Sequence, residues 1–246
     1  MYAQAPQHDT YLGNAAIPPL SKSFFRLGDQ LITVQENESN NHSVLIVGLH
    51  NNEQTAILNA SFFAEGNDTR FIQILHDGGR NIEANLGDRN VRFDPDKIFT
   101  PAGRKSNLKD NQSWSKSSAQ QVGLFARFMV NQFINTGTII SVHESENDQT
   151  INDYTRSPLL IRIAKAIHIN ATSDPNDFIL TTDENLFMHL KQNFNVVLLN
   201  KHKMKDDGSL KIYCTRTNKN FVQIQTLSDH TKEQNEMLHS VCNNIQ

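Results

Sequence analysis

His50-Asn51-Asn52-Glu53 places an imidazole and a carboxylate three residues apart. In the first turn of a helix that spacing brings both side chains onto one face, close enough to share an ion. Neutral imidazole is the commonest protein metal ligand. A catalytic zinc takes three protein ligands and keeps a fourth position for water, and two histidines with one glutamate are one such set. Taken alone, His-x-x-Glu more often describes a solvent-facing pair at a helix start. His143 gives the pattern more weight, because it follows an apolar run of strand type, as His50 does. The residues therefore point to a candidate zinc site with His143 as the natural third ligand. His168, His189, His202, His230 and His239 have no partner at ligand spacing and read as surface or core histidines.

Two apolar runs must hold these side chains in place. Residues 43–49 form a continuous apolar stretch, as expected of a strand buried on both faces, and residues 51–64 follow with Ala56, Ile57, Ala60 and Phe63 at helical spacing. Residues 138–142 are a second buried strand, expected to end at His143. Strand ends of this kind form the edge where open α/β sheets bind their ligands. Further strands are expected at 31–34, 70–75, 195–199, 210–214 and 221–225, with a hairpin-like stretch running to Phe93. Helices are expected over 119–133, 183–192 and 230–242. Residues 103–117 read as irregular, and 157–167 fit either state. Strands alternating with helices imply an α/β fold: a single domain over residues 23–246 with a mixed, mostly parallel sheet and helices on both faces. Residues 1–22, with Pro6, Pro18 and Pro19, read as an extended lead-in.

Composition narrows the function. The 246 residues carry a formal net charge of −3, without the basic excess usual in nucleic-acid binders. No apolar run approaches the ~20 residues needed to span a bilayer. The 2 cysteines, Cys214 and Cys242, exclude a disulfide scaffold and an all-cysteine zinc site, and they read as buried thiols rather than a pair. Ala3-Gln4-Ala5 has the small-x-small form of a signal-peptidase site, which suggests a periplasmic or secreted protein; a polar terminus of a cytoplasmic protein is the alternative. The basic run Lys201-His202-Lys203-Met204-Lys205 reads as a solvated loop. Oligomeric state is not legible.

The ordered set His50-x-x-Glu53, Arg89-x6-Asp96-Lys97-Ile98-Phe99 and His143 resembles the zinc carboxypeptidase-like superfamily. It looks most like the succinylglutamate desuccinylase and aspartoacylase branch, including uncharacterised bacterial members. Residues 93–100, 177–183 and 221–225 add to the likeness, as do Glu233-Gln234 and Met237-Leu238, so it spans roughly residues 43–240. The resemblance implies Zn2+ held by His50, Glu53 and His143, in a phosphorylase/hydrolase-like fold. It implies a zinc metallohydrolase of carboxypeptidase or N-acyl amino acid deacylase type, cutting an amide bond adjacent to a carboxylate. The substrate would be a small molecule or peptide with a carboxylate, with peptidoglycan-type peptides as the first to try. Carboxylate recognition would fall to Arg89, with Arg92 and Arg80 as nearby substitutes, because a planar guanidinium binds a carboxylate bidentately.

Three departures bear on activity. Asp96-Lys97 stands where the family pattern has Asn-Arg; lysine keeps the charge but loses the fork, and Asp96 adds an anion. Gln225 aligns with the family's catalytic glutamate, and its neutral amide cannot take a proton from water. The loss of a general base removes ~10² to 10⁴ of rate. The segment after His143 is acidic, and Glu144 or Glu146 is an alternative base. A catalytically degenerate protein that binds zinc and recognises a peptide or amino-acid derivative without hydrolysis is therefore the second reading.

Overall fold

The computed structural model describes residues 20–77, 79–145 and 149–245. One nine-stranded sheet runs in the order β1 (Leu20–Leu27), β2 (Gln30–Asn37), β4 (Thr69–Leu75), β3 (Asn41–Gly48), β7 (Thr138–Ser145), β11 (Asn220–Leu227), β9 (Phe178–Thr181), β10 (Asn195–Leu199), β8 (Ala164–His168). Pairing is parallel from β4 through β3 and β7 to β11, and again between β9 and β10. The other pairs are antiparallel, so β1, β4, β3, β7, β11 and β8 all point one way. A separate hairpin joins β5 (Ile82–Leu86) to β6 (Arg89–Phe93).

Both faces of the sheet are covered, which is why its central strands read as unbroken apolar runs. On one face α1 (Gln54–Gly66), α6 (Glu184–Leu190) and α8 (Thr231–Asn243) pack over Ile46, Phe71, Ile140, Val142 and Ile224. On the other, α2 (Pro101–Asp110), α3 (Lys116–Gln132), α7 (Leu210–Arg216) and the hairpin enclose Phe93, Phe125, Ile139, Phe178 and Phe221. Two short helices, α4 (Asp153–Arg156) and α5 (Pro158–Ile163), connect β7 to β8. Ile140 and Val142 point into the first core and Ile139 into the second, so Ser141 and His143 share the second face by alternation. Burying each such side chain is worth ~1.5–3 kcal/mol, and a one-residue slip of β7 would turn Ser141 and His143 into the apolar first core. The apolar residues thus decide which way His143 points.

Several expectations are corrected. β1 begins at Leu20, so the last three residues of the expected lead-in are already paired; residues 1–19, with Ala3-Gln4-Ala5, lie outside the described residues. Residues 103–110, part of the 103–117 stretch read as irregular, belong to α2: Thr100 caps it by accepting from Gly103 N–H at 3.1 Å, and Pro101 supplies the first-turn φ. Residues 210–214, expected as strand, are α7. The buried Leu210, Ile212 and Cys214 mimic a two-residue period in so short a helix. The helix ends where Asn218 takes φ 55° and Lys219 N–H donates to the Cys214 carbonyl at 2.8 Å. Residues 157–167 resolve into α5 followed by β8. Cys214 and Cys242 are both free and lie in the two opposite cores, so the sheet separates them; burial pushes both thiols up to about 12.

One close approach shapes the site's rim. A Cβ on Gly103 would fall 2.0 Å from the Cα of Gly208, whose own φ is +82°. This contact, with Phe99 N–H donating to the Gly208 carbonyl at 2.8 Å, presses the 206–209 loop onto the start of α2. The loop then holds Asp207, and the start of α7 holds Lys211, at the cleft beside the metal-ligand candidates.

Candidate metal centre

β3 delivers His50 just past its carboxyl end, and β7, its parallel neighbour, delivers His143. Glu53 is the residue before α1, and its backbone N–H bonds to the His50 carbonyl at 3.1 Å, which fixes the turn between them. The result is a buried trio whose donor atoms all lie within 4.8 Å of one another. His50 Nδ1 lies 3.2 Å from Glu53 Oε1, and His143 Nδ1 lies 3.1 Å from Glu53 Oε2. Both imidazoles therefore turn the same nitrogen toward one carboxylate. β7 itself continues two residues past His143, which sits inside the strand rather than at its end.

The outward nitrogens are held as well. His50 Nε2 lies 2.9 Å from Asp94 Oδ1, and His143 Nε2 lies 2.6 Å from Ser141 Oγ. Partners of this kind fix the tautomer and ring orientation of metal-ligating histidines. Asp94 is itself anchored: its N–H donates to Asn107 Oδ1 at 3.1 Å, and Asn107 Nδ2 donates to its carbonyl at 2.9 Å. Glu53 Oε2 is buried without a hydrogen-bond partner. That oxygen has only His143 Nδ1 beside it, at 3.1 Å, and with His50 Nδ1 on the other oxygen the three side chains bring their donor atoms within 4.8 Å, so the residues present fit a divalent metal.

The electrostatics agree with a site built for positive charge. Burial alone would push His50 down, but the hydrogen bonds and charges of Asp94 and Glu53 outweigh it and hold the imidazole up at about 9. Burial would raise Glu53, yet His143 and His50 keep its carboxyl well below the usual range. Asp94 is likewise held down at about 2, its burial outweighed by His50 and then Arg80. Asp96 goes the other way, raised by burial and by the neighbouring Asp94 charge.

A cleft of about 420 Å³ opens on the trio, with Glu53, His143, Gln225, Asp96 and Lys97 among its walls. Gln225 on β11 is paired in register with His143 on β7, so both side chains face the cleft. Its amide is engaged: Oε1 accepts from Gln223 Nε2 at 3.2 Å, and Nε2 donates to the Gln149 carbonyl at 3.2 Å. Glu144 lies on the opposite side of β7 from His143. It accepts from Ala56 N–H at 2.7 Å, supplying the helix cap that Glu53 does not give α1. That bond gives Glu144 a structural task at the start of α1; Glu146 lies outside the described residues.

The basic residues divide. Arg80 reaches the site, donating to Glu53 Oε1 at 2.9 Å and lying 3.9 Å from Asp94 Oδ2. Lys97 Nζ lies 3.7 Å from Asp94 Oδ2, and Asp96 Oδ1 accepts from Leu210 N–H at 3.1 Å, tying the rim of the cleft to α7. Arg89 and Arg92 are not there. Arg89 is exposed at the turn of the hairpin, and Arg92 alternates outward from Val91 and Phe93 to meet Glu83 at 3.3 Å. Sequence reasoning missed Asp94, Ser141 and Lys211. Ser141 was legible as the residue two before His143 on the same strand face. Asp94 showed only the Asp-Pro start of a helical turn, where its side chain accepts from Asp96 N–H at 2.9 Å.

No protein-family model and no curated protein matches this sequence. Among solved structures the chain is similar to thrombin activatable fibrinolysis inhibitor at 9% identity, covering 89% of this chain and 67% of that one with a TM-score of 0.49. It is similar also to the murein-tripeptide amidase MpaA from Escherichia coli O157, at 11% identity with 86% of each chain covered and a TM-score of 0.43. Leucine aminopeptidase LAP1 from Caenorhabditis elegans gives 10% identity over 80% of this chain and 46% of that one, with a TM-score of 0.35. None is similar enough to assign a role to a residue of this chain. Among the described residues no helix is long and apolar enough to cross a membrane.

Proposed function

We propose that this chain is a zinc-binding protein of carboxypeptidase-like type whose cleft takes a peptide or N-acyl amino acid bearing a carboxylate. The observation that carries the reading is the buried trio of His50, Glu53 and His143, with one nitrogen of each imidazole turned to the shared carboxylate and the other held by Asp94 or Ser141. The ordered resemblance of these same residues to the succinylglutamate desuccinylase and aspartoacylase branch supports it. A bound zinc would supply Lewis acidity toward a carbonyl and lower the pKa of a coordinated water toward ~7. Lys97, with Arg80 beside it, offers positive charge for a substrate carboxylate at the same wall.

Recognition without hydrolysis is the form of this reading that Gln225 favours. It occupies the cleft beside His143, and an amide bonded on both sides cannot serve as proton acceptor. A zinc amidohydrolase is the second form, and Asp96 favours it. Asp96 lines the same cleft, burial and the neighbouring Asp94 charge raise its carboxyl above the ordinary value, and one of its oxygens is held by Leu210 N–H at 3.1 Å. The test is hydrolysis of acylated amino acids and short peptides by zinc-loaded wild type, Gln225→Glu and Asp96→Asn. Activity appearing only in Gln225→Glu supports the recognition form. Activity in wild type that Asp96→Asn abolishes supports the hydrolase. Zinc-loaded Gln225→Glu without activity, with an inactive wild type, counts against an ancestral hydrolytic site.

A further inference from the structure

The cleft does not end at the metal-ligand candidates. A second hollow of about 260 Å³ adjoins it, and the two share Leu160, Ile163, Asp207 and Lys211 as a common wall. The first hollow mixes the carboxylates of Glu53, Asp96 and Asp207 with the cations of Arg80, Lys97 and Lys211, most of them paired with one another. The annex is different in kind. Its floor is apolar, from Leu160, Ile163 and Met204, and its rim carries Arg162, Lys203 and Lys205. Asp207 is its one carboxylate, and that is already paired with Lys211 at 3.3 Å. Among the described residues Arg162, Lys203 and Lys205 take part in no ion pair, although most charged groups around the metal-ligand trio do. Lys203 and Lys205 belong to the basic run that reads in sequence as a plain solvated loop.

We propose that this annex receives the end of the substrate remote from the metal centre and selects an anionic group carried on an apolar stem. The inference rests on the zinc-site reading above and names the substrate class that site would take. The apolar floor covers methylenes, while three exposed cations without ion-pair partners at its rim can form charge-assisted hydrogen bonds that a neutral end group cannot. Arg162 adds a fork suited to carboxylate or phosphate, and the lysines act as point charges. A positively charged or purely polar end group finds no partner there.

The experiment is calorimetric binding to zinc-loaded protein, comparing adipate, suberate and sebacate with hexanoate, octanoate and decanoate of matched length. At least one dicarboxylate is expected to bind about tenfold more tightly than its monocarboxylate, in a salt-dependent way. Lys203→Gln/Lys205→Gln removes two exposed charges from a surface loop and should reduce that preference to about twofold or less. Arg162→Gln, on a different element, should reduce it independently. Equal binding of both series by wild type, or a preference that survives both variants undiminished, overturns the proposal. Zinc content measured on the same samples separates the two inferences. Metal present with no dicarboxylate preference overturns the annex alone, and metal absent from wild type overturns the zinc reading and the annex together.

Discussion

Asp94→Asn isolates the residue that orients the first metal ligand without altering any ligand. The substitution keeps the size of the side chain and an acceptor for Asp96 N–H, but it removes the charge that faces His50 Nε2 at 2.9 Å. In metal-free protein His50 is raised from 6.5 to about 9. A raised histidine stabilises the fold in full below its ordinary value, and that stability is lost as pH climbs through about 9. The difference corresponds to about 3 kcal/mol, shared between Asp94 and Glu53. Removing one partner of a buried pair costs a similar amount, about 3 kcal/mol, or roughly 6–12 °C in Tm for a chain of this size. The loss should be largest near pH 6 and fade toward pH 10. It should also fade below the ordinary carboxylate range, as pH approaches about 2 where folded Asp94 itself takes a proton. Zinc should bind about 10- to 100-fold more weakly, because an unsupported His50 is a poorer ligand. Thermal melts of metal-free protein across pH, with chelator competition for zinc affinity, read both effects. An unchanged zinc affinity together with a pH-independent loss of Tm would refute the reasoning, since Asp94 would then be only a packing residue.

Three further outcomes are expected. Gly103→Ala should destabilise by about 3 kcal/mol in denaturant melts, because its Cβ would meet the Gly208 backbone rather than a side chain that can move. Glu144→Ala should cost about 1–2 kcal/mol in the same melts while leaving zinc content intact, because it caps α1 by accepting from Ala56 N–H; loss of zinc instead would place Glu144 in the site. His230 lies 2.6 Å from Asp177, and that partner outweighs the downward push of burial to raise its imidazole above the ordinary value. His230→Gln should therefore lower Tm by a few degrees at most near pH 6, and the gap should close as pH rises past that raised value.

The parts of the site that were legible in sequence are those set by local or two-residue patterns. His50 and Glu53 are joined by one turn between a buried strand and a helix, so their spacing alone brought them together. His143 was found because β7 is apolar on both faces, although the strand runs on to Ser145. Gln225 needed the resemblance, and the β7–β11 register sets it beside His143. Asp94 was not legible as a site residue, because its contact with His50 spans 44 residues and depends on how Asn107 of α2 pins the chain. Lys211 was hidden by reading α7 as a strand. Arg80 could not be ranked above Arg89 and Arg92, since that depends on which way the β5–β6 hairpin faces. The helices without an apolar stripe, α2 above all, declared themselves only through the Thr100-Pro101 cap.

The zinc centre itself is tested most directly by metal content. Purified wild type and His143→Ala, each dialysed to equilibrium against zinc, would be analysed by inductively coupled plasma mass spectrometry. His50, Glu53 and His143 as a ligand set predict about one zinc per chain in wild type and a large loss in His143→Ala, with the fold retained by circular dichroism. Wild type without zinc, or His143→Ala that holds as much as wild type, would contradict it.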